Sequence, residues 1–196
     1  LAAQTGYLLH SIPGDVNAAS QTNVFAVSGP VGVVLCDVRN GQVLRALASG
    51  YYPFSLALSP CATRAVTEDF LGNVHLWDTE TVAMLGTLKL SHPMPLYLFS
   101  RDGRKLFICS RGGSVRAYDS SNLALLNSFD HPDKLVLSAV LSFDGRFLYV
   151  GTDYGKVTCL STADLSVQFE FKKFSLPVQG MALDPSDNTL AIGYSP

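Results

Sequence analysis

The stretch Gly72-Asn73-Val74-His75-Leu76-Trp77-Asp78-Thr79 (GNVHLWDT) holds the one tryptophan of the chain, followed directly by an aspartate. A chemical site of that kind should occur once, whereas a structural unit should return at a fixed spacing. The frame does return. Gly113-Ser114-Val115-Arg116-Ala117-Tyr118-Asp119 and Gly155-Lys156-Val157-Thr158-Cys159-Leu160-Ser161 keep Gly first, Val third, a large apolar residue sixth and a short polar residue last. The three glycines lie 41 and 42 residues apart. A weaker copy, Val31 to Asp37, ends 41 residues before Asp78 and lacks the leading glycine.

A second series keeps the same step. Ser59-Pro60-Cys61-Ala62, Ser100-Arg101-Asp102-Gly103, Ser142-Phe143-Asp144-Gly145 and Asp184-Pro185-Ser186-Asp187 follow one another at 41, 42 and 42 residues. Within one period, Leu135–Leu141 is apolar, Asp144-Gly145 is a turn pair, and Arg146–Thr152 is rich in strand formers. Tyr154-Gly155 turns again into Lys156–Leu160, and Ser161–Asp164 leads to a more exposed fourth strand at Leu165–Phe171. The first two strands are apolar at adjacent positions, so both faces of the sheet must be covered. Four short strands per period of about 40–45 residues, stacked around an axis, describe a β-propeller.

The expected architecture is therefore all-β: a propeller segment of four-stranded antiparallel blades, four complete and partial at both ends. Residues 1–12 should contain an outer strand (Tyr7–Ile12) of a preceding blade. Blades should follow at 13–48, 49–90, 91–130 and 131–172, with the first two strands of another at 173–196. The leftover strands lead us to expect an arc of a larger propeller in a longer polypeptide.

Trp77-Asp78 and its echoes resemble the WD-repeat family of β-propellers over essentially the whole chain. SPCATRAVTEDFLGNVHLWD (59–78) carries the likeness best, and LSFDGRFLYVGTDYGKVTCLS (141–161) has the same layout ending on Leu160-Ser161. The family often has Gly-His before the innermost strand, and His92 and His131 occupy matching places. It also often has an aspartate just before the glycine of the second-to-third-strand turn, bound to that histidine. Leu71, Gly112 and Tyr154 stand there instead, so these blades are expected to rely more on apolar packing than on that network. The resemblance implies a scaffold for protein–protein interaction in a larger assembly.

Composition narrows the alternatives. Hydrophobic residues make up 47% of the 196 positions, charged residues 15%, and the net charge is −2. Such a balance offers no general attraction to nucleic acid or acidic membranes. The uncharged run from Val16 to Cys36 contains too many polar groups and breakers for a bilayer helix. Cys36, Cys61, Cys109 and Cys159 form no Cys-x-x-Cys pair and read as reduced thiols, which favours an intracellular setting without separating cytoplasm from nucleus.

No serine lies in a nucleophile elbow, and neither catalytic residues nor a metal or cofactor site is expected. Trp77, in a position shared with Tyr118 and Leu160, should pack between blades. Asp78 and Asp119 should accept turn amides, and His92 and His131 should act as structural hydrogen-bonding groups. The loops entering the innermost strands share one rim, where Tyr51, Tyr52, Met94, Lys172, Lys173 and Phe174 are the candidate partner contacts. Arg101, Arg104 and Lys105 read as solvated charge on the opposite rim. The rival readings are a quinoprotein-like or lactonase-like propeller enzyme or ligand sensor, and a nucleic-acid-associated propeller.

Overall fold

The computed structural model of the chain describes residues 15–19, 22–29, 32–47, 50, 53, 55–91, 95–133, 135–171, 174–184 and 189–194. The expected strand at Tyr7–Ile12 lies outside them, as do Tyr51, Tyr52, His92, Met94, Lys172 and Lys173. The described residues form strands and turns only.

Blade I contains β1 (Asp15–Ala19), β2 (Val24–Gly29), β3 (Gly32–Asp37) and β4 (Val43–Leu47). Blade II contains β5 (Ser55–Leu58), β6 (Arg64–Glu68), β7 (Asn73–Asp78) and β8 (Ala83–Lys89). Blade III contains β9 (Leu96–Phe99), β10 (Lys105–Cys109), β11 (Ser114–Asp119) and β12 (Leu125–Asp130). Blade IV contains β13 (Val136–Leu141), β14 (Phe147–Thr152), β15 (Val157–Ser161) and β16 (Val167–Glu170). A fifth sheet pairs β17 (Val178–Leu183) with β18 (Leu190–Tyr194). Every sheet is an antiparallel meander in sequence order, and the first strands of successive sheets touch one another. Each sheet thus radiates outward, with its first strand innermost and its fourth on the outside, as the propeller reading requires.

The core lies between sheets. Ala26, Val33, Leu35 and Leu47 of blade I pack against Leu56, Leu58, Ala65 and Trp77 of blade II. Ala57, Val66, Val74 and Leu76, on the other face of blade II, meet Phe99, Leu106, Ile108 and Leu123 of blade III. A third seam joins Phe107, Cys109, Val115 and Ala117 of blade III to Val136, Leu148, Val150, Leu160 and Leu165 of blade IV. The adjacent residues Ala65 and Val66 serve opposite seams, which is the physical reason β6 is apolar at consecutive positions. Trp77, Tyr118 and Leu160 occupy the same position in their blades, and each packs toward the preceding blade.

One irregularity recurs in each four-stranded blade. The pairing of third and fourth strands slips by one residue at Leu35/Cys36, Leu76/Trp77, Ala117/Tyr118 and Cys159/Leu160. A bulge there strengthens the twist of the outer strand. The turn that follows places a residue at positive φ: Gly41 (70°), Val82 (61°), Leu123 (61°) and Leu165 (62°). A left-handed leucine costs about 1–2 kcal/mol. Leu123 and Leu165 are nevertheless 6% and 2% exposed, because the turn directs each side chain into the seam shared with the preceding blade. Burying a leucine recovers about 1.5–3 kcal/mol. The sequence suggests that Leu165 opens the fourth strand; the bulge and the seam instead draw it into the turn. Val82 bears the same strain at 37% exposure and so with less compensation.

These environments separate three substitutions. Trp77→Ala should lower the unfolding free energy by about 3–5 kcal/mol and Leu165→Ala by about 2–4 kcal/mol. Val82→Gly should raise it by about 0.5–1 kcal/mol, the relief of left-handed strain outweighing the added freedom of the unfolded chain. Urea unfolding reads all three. A stabilising Leu165→Ala or a strongly destabilising Val82→Gly would contradict the account of the turn.

Candidate interaction surfaces on the rims

The meander places the turns on two rims. First-to-second and third-to-fourth strand turns form one, and the remaining turns form the other. On the first, side-chain oxygens are consumed in closing the turns. Asp78 accepts the amides of Glu80 and Thr81 at 2.9 and 2.8 Å and the Arg64 guanidinium at 2.7 Å. The Thr81 amide is the main reason that its carboxyl lies below the ordinary range, against a smaller upward push from burial. Asp119 accepts the amide and hydroxyl of Ser121, and that hydroxyl does most to hold its pKa down. Asp37 receives both the amide and the guanidinium of Arg39 and falls to about 2, chiefly through the Arg39 side chain. Ser161 takes the corresponding place in blade IV and accepts the Ala163 amide at 3.2 Å.

The first-to-second strand turns repeat another device. Ser100 and Ser142 each donate to the aspartate two residues on, Asp102 and Asp144, at 2.6 Å. Each serine also accepts an amide from the start of the second strand, Lys105 or Phe147, at 2.9 Å. Asp144 is held at about 2, first by the Ser142 hydroxyl and then by Arg146. In blade II Cys61 stands in the aspartate's place, its Sγ 3.0 Å from the Thr63 hydroxyl and 3.7 Å from that of Ser59. The Thr63 hydroxyl holds this exposed thiol below its ordinary value, whereas burial raises Cys36 and Cys159 and pushes Cys109 to about 12. Because these carboxylates are ionised more easily in the folded chain, the stability they lend is present above their ordinary pKa and fades as the pH falls toward 2.

On the other rim, the glycine of the second-to-third strand turn binds the chain as it leaves the fourth strand. Leu90 N donates to Gly72 O at 3.0 Å, His131 N to Gly113 O at 2.8 Å, and Phe174 N to Gly155 O at 2.8 Å. A side chain at Gly155 would run into the carbonyl oxygens of Phe174 and Leu176, and its φ of 76° also demands glycine. The Phe174 ring stacks on Tyr194 at 6.5 Å and 25°. Near these contacts stand large apolar residues that are not among the contacts expected from the sequence: Phe70 (69% exposed), Leu71 (74%) and Tyr154 (59%). The available signal was two consecutive bulky apolar residues, Phe70-Leu71, inside a tight turn.

His131 sits on this rim with its side chain fully buried. Nδ1 accepts the Asp133 amide at 3.0 Å, which makes Nε2 the protonated nitrogen and the donor to Thr158 Oγ1 at 2.9 Å. Thr152 Oγ1 donates to Asp133 Oδ2 at 3.0 Å. Blade IV therefore has a polar network around its histidine, with Asp133, two residues beyond the histidine, as its carboxylate. In blade II the indole of Trp77 donates to Thr67 Oγ1 at 2.9 Å. Polar bonds thus accompany the apolar seams in blades II and IV.

Burial is the leading cause that lowers the pKa of His131; Asp133 and Glu170 oppose it and Lys156 adds to it. Its neutral form thus favours the fold at pH values above about 6.5, and that contribution falls away as the pH drops through this value toward the lower folded pKa. His131→Gln keeps a donor and an acceptor without titrating. Its urea midpoint should change less between pH 7 and pH 5 than that of the parent chain, and equal changes would count against a titrating buried imidazole.

No family model matches the sequence. The U3 small nucleolar RNA-associated protein 18 homolog of Homo sapiens is 24% identical over 145 residues, and that of Mus musculus is 22% identical over 142. The alignments cover 70% and 69% of this chain and 26% of each relative, so the chain spans about a quarter of the length of the curated relatives it matches. Among solved structures, a chain of the mitotic checkpoint complex superposes with a TM-score of 0.76 at 21% identity, over 92% of this chain and 56% of that one. The Myceliophteria thermophila Cps50 (Swd1) β-propeller domain gives 0.75 at 16% identity, over 94% and 63%. Radial four-stranded meanders with a repeating third strand that closes on Trp77-Asp78 in blade II, stacked as in these solved structures, make the chain a β-propeller.

Proposed function

We propose that the chain is a non-catalytic propeller that holds protein partners within a larger assembly. The pair Phe70-Leu71 carries this reading: two large apolar side chains, 69% and 74% exposed, sit on a turn whose backbone is already fastened. Covering each would contribute about 1.5–3 kcal/mol, and aromatic anchors on a rigid support suit protein interfaces. Tyr51, Tyr52, Met94, Lys172, Lys173 and Phe174 are proposed as further contacts of the same rim.

The carboxylates of the other rim point the same way. Asp37, Asp78, Asp102, Asp119 and Asp144 spend their oxygens on turn amides, hydroxyls and guanidinium groups, and their depressed pKa values suit permanent anions rather than proton carriers near neutral pH. The similarity to proteins named for a small nucleolar RNA, together with free thiols at Cys36, Cys109 and Cys159, supports an intracellular, nuclear setting. The net charge of −2 favours association with any RNA through protein partners rather than along the phosphate backbone.

The test is capture of the tagged native protein from nuclear extract with and without ribonuclease. A stable set of proteins should remain after ribonuclease treatment. It should be lost with Phe70→Ser combined with Leu71→Ser, whose stability should stay within about 0.5 kcal/mol of the parent, as for surface substitutions generally. Release of every partner by ribonuclease, or full retention by the double variant, would overturn the assignment.

A further inference from the structure

The rim opposite Phe70 and Leu71 bears a second surface, built by equivalent turn residues of three successive blades. Pro60, Arg101 and Phe143 are each the second residue of a first-to-second strand turn, so the repeat brings them around one mouth. Between them lies a cavity of about 260 Å³, walled also by Phe99, Val140 and Leu183. Its lip is formed by Arg101, whose guanidinium carbon stands 3.7 Å over the centroid of the Phe143 ring. Phe143 itself is 46% exposed.

Arg101 also borders a neighbouring polar cavity of about 290 Å³ that contains Asp102, Lys105 and Asp144. The two carboxylates there are engaged: Asp102 by the Ser100 hydroxyl and the Arg104 amide, Asp144 by the Ser142 hydroxyl and Arg146. Lys105 bonds the carbonyl oxygens of Thr162 and Ala163 at 2.8 and 3.0 Å. Among the described residues, the ion pairs do not include Arg101. Its planar charge is positioned by a ring and still has donors for a carboxylate.

We propose that this mouth is a docking site for a linear segment of a partner protein in which a large apolar side chain adjoins an aspartate or glutamate. The apolar side chain enters the cavity beside Phe99 and Val140, and the carboxylate meets Arg101 on the edge not covered by Phe143. The volume falls below the roughly 300–1,000 Å³ of small-molecule pockets and suits one side chain. Charge placement favours a peptide over nucleic acid: around this mouth Arg101, Arg104, Lys105 and Arg146 stand among Asp102, Asp119, Asp144 and Asp164, so a polyphosphate would meet carboxylates as well as cations.

Selection of a displayed random-peptide library on the immobilised native protein provides the test. Enriched peptides should place Leu, Met, Phe or Trp next to Asp or Glu. One such peptide, synthesised with a fluorophore, should bind at least about tenfold more weakly to Arg101→Gln and to Phe143→Ser, and equally weakly when its acid is replaced by the amide. Phe70→Ser should leave that affinity unchanged, which separates this site from the rim of the proposed function. Thermal melting of each variant checks that the fold is retained. No enrichment, enriched peptides lacking an acid, insensitivity to Arg101→Gln, or tighter binding of an oligouridylate that depends on Arg101 would overturn the proposal.

Discussion

Everything in this fold depends on covering two apolar faces of the same thin sheet. A four-stranded meander whose second strand runs Arg64-Ala65-Val66-Thr67-Glu68 cannot hide Ala65 and Val66 on one side, since consecutive residues of a strand point apart. Blade II resolves this by sending Ala65 to the seam with blade I and Val66 to the seam with blade III. Each blade is thus stabilised by its neighbours, and the 41–42-residue period is the imprint of that requirement on the chain.

The turns inherit their chemistry from the same demand. Identical packing requires each sheet to twist alike, and a bulge placed just before the third strand ends provides the same twist four times. The short polar residue at that end, Asp37, Asp78, Asp119 or Ser161, then gathers the amides of a tight turn. Leu123 and Leu165 show tertiary packing overriding local preference. A conformation suited to glycine is occupied by leucine because the seam needs a side chain there.

With seams and turns occupied in this way, the rims are where the chain has side chains to offer. Phe70 and Leu71 project from one rim on a turn fastened by the Gly72–Leu90 hydrogen bond. Arg101 and Phe143 form a cation-over-ring pair at the mouth of the other. The two surfaces differ in kind: the first is open and apolar, while the second combines a side-chain-sized cavity with a guanidinium. A propeller that uses both could bridge two partners without moving any of its own strands.

The sequence by itself determined the period, the strand order, the double burial of the inner strands and the positions of the turn-closing Asp78 and Asp119. All of these rest on interactions between residues a few places apart or on a repeat visible along the chain. Trp77 could be read as a packing residue because Tyr118 and Leu160 share its place. Only the tertiary structure decided that Asp133, Thr152 and Thr158 enclose His131, that Leu165 belongs to a seam rather than a strand, and that Arg101 lies over Phe143. The exposed Phe70-Leu71 pair likewise carried no periodic signal that distinguishes a surface anchor from core. The reason is geometric: His131 and Thr158, or Arg101 and Phe143, are separated along the chain by most of a blade or a whole one. Such residues meet only once the strands have paired and the sheets have stacked at one angle.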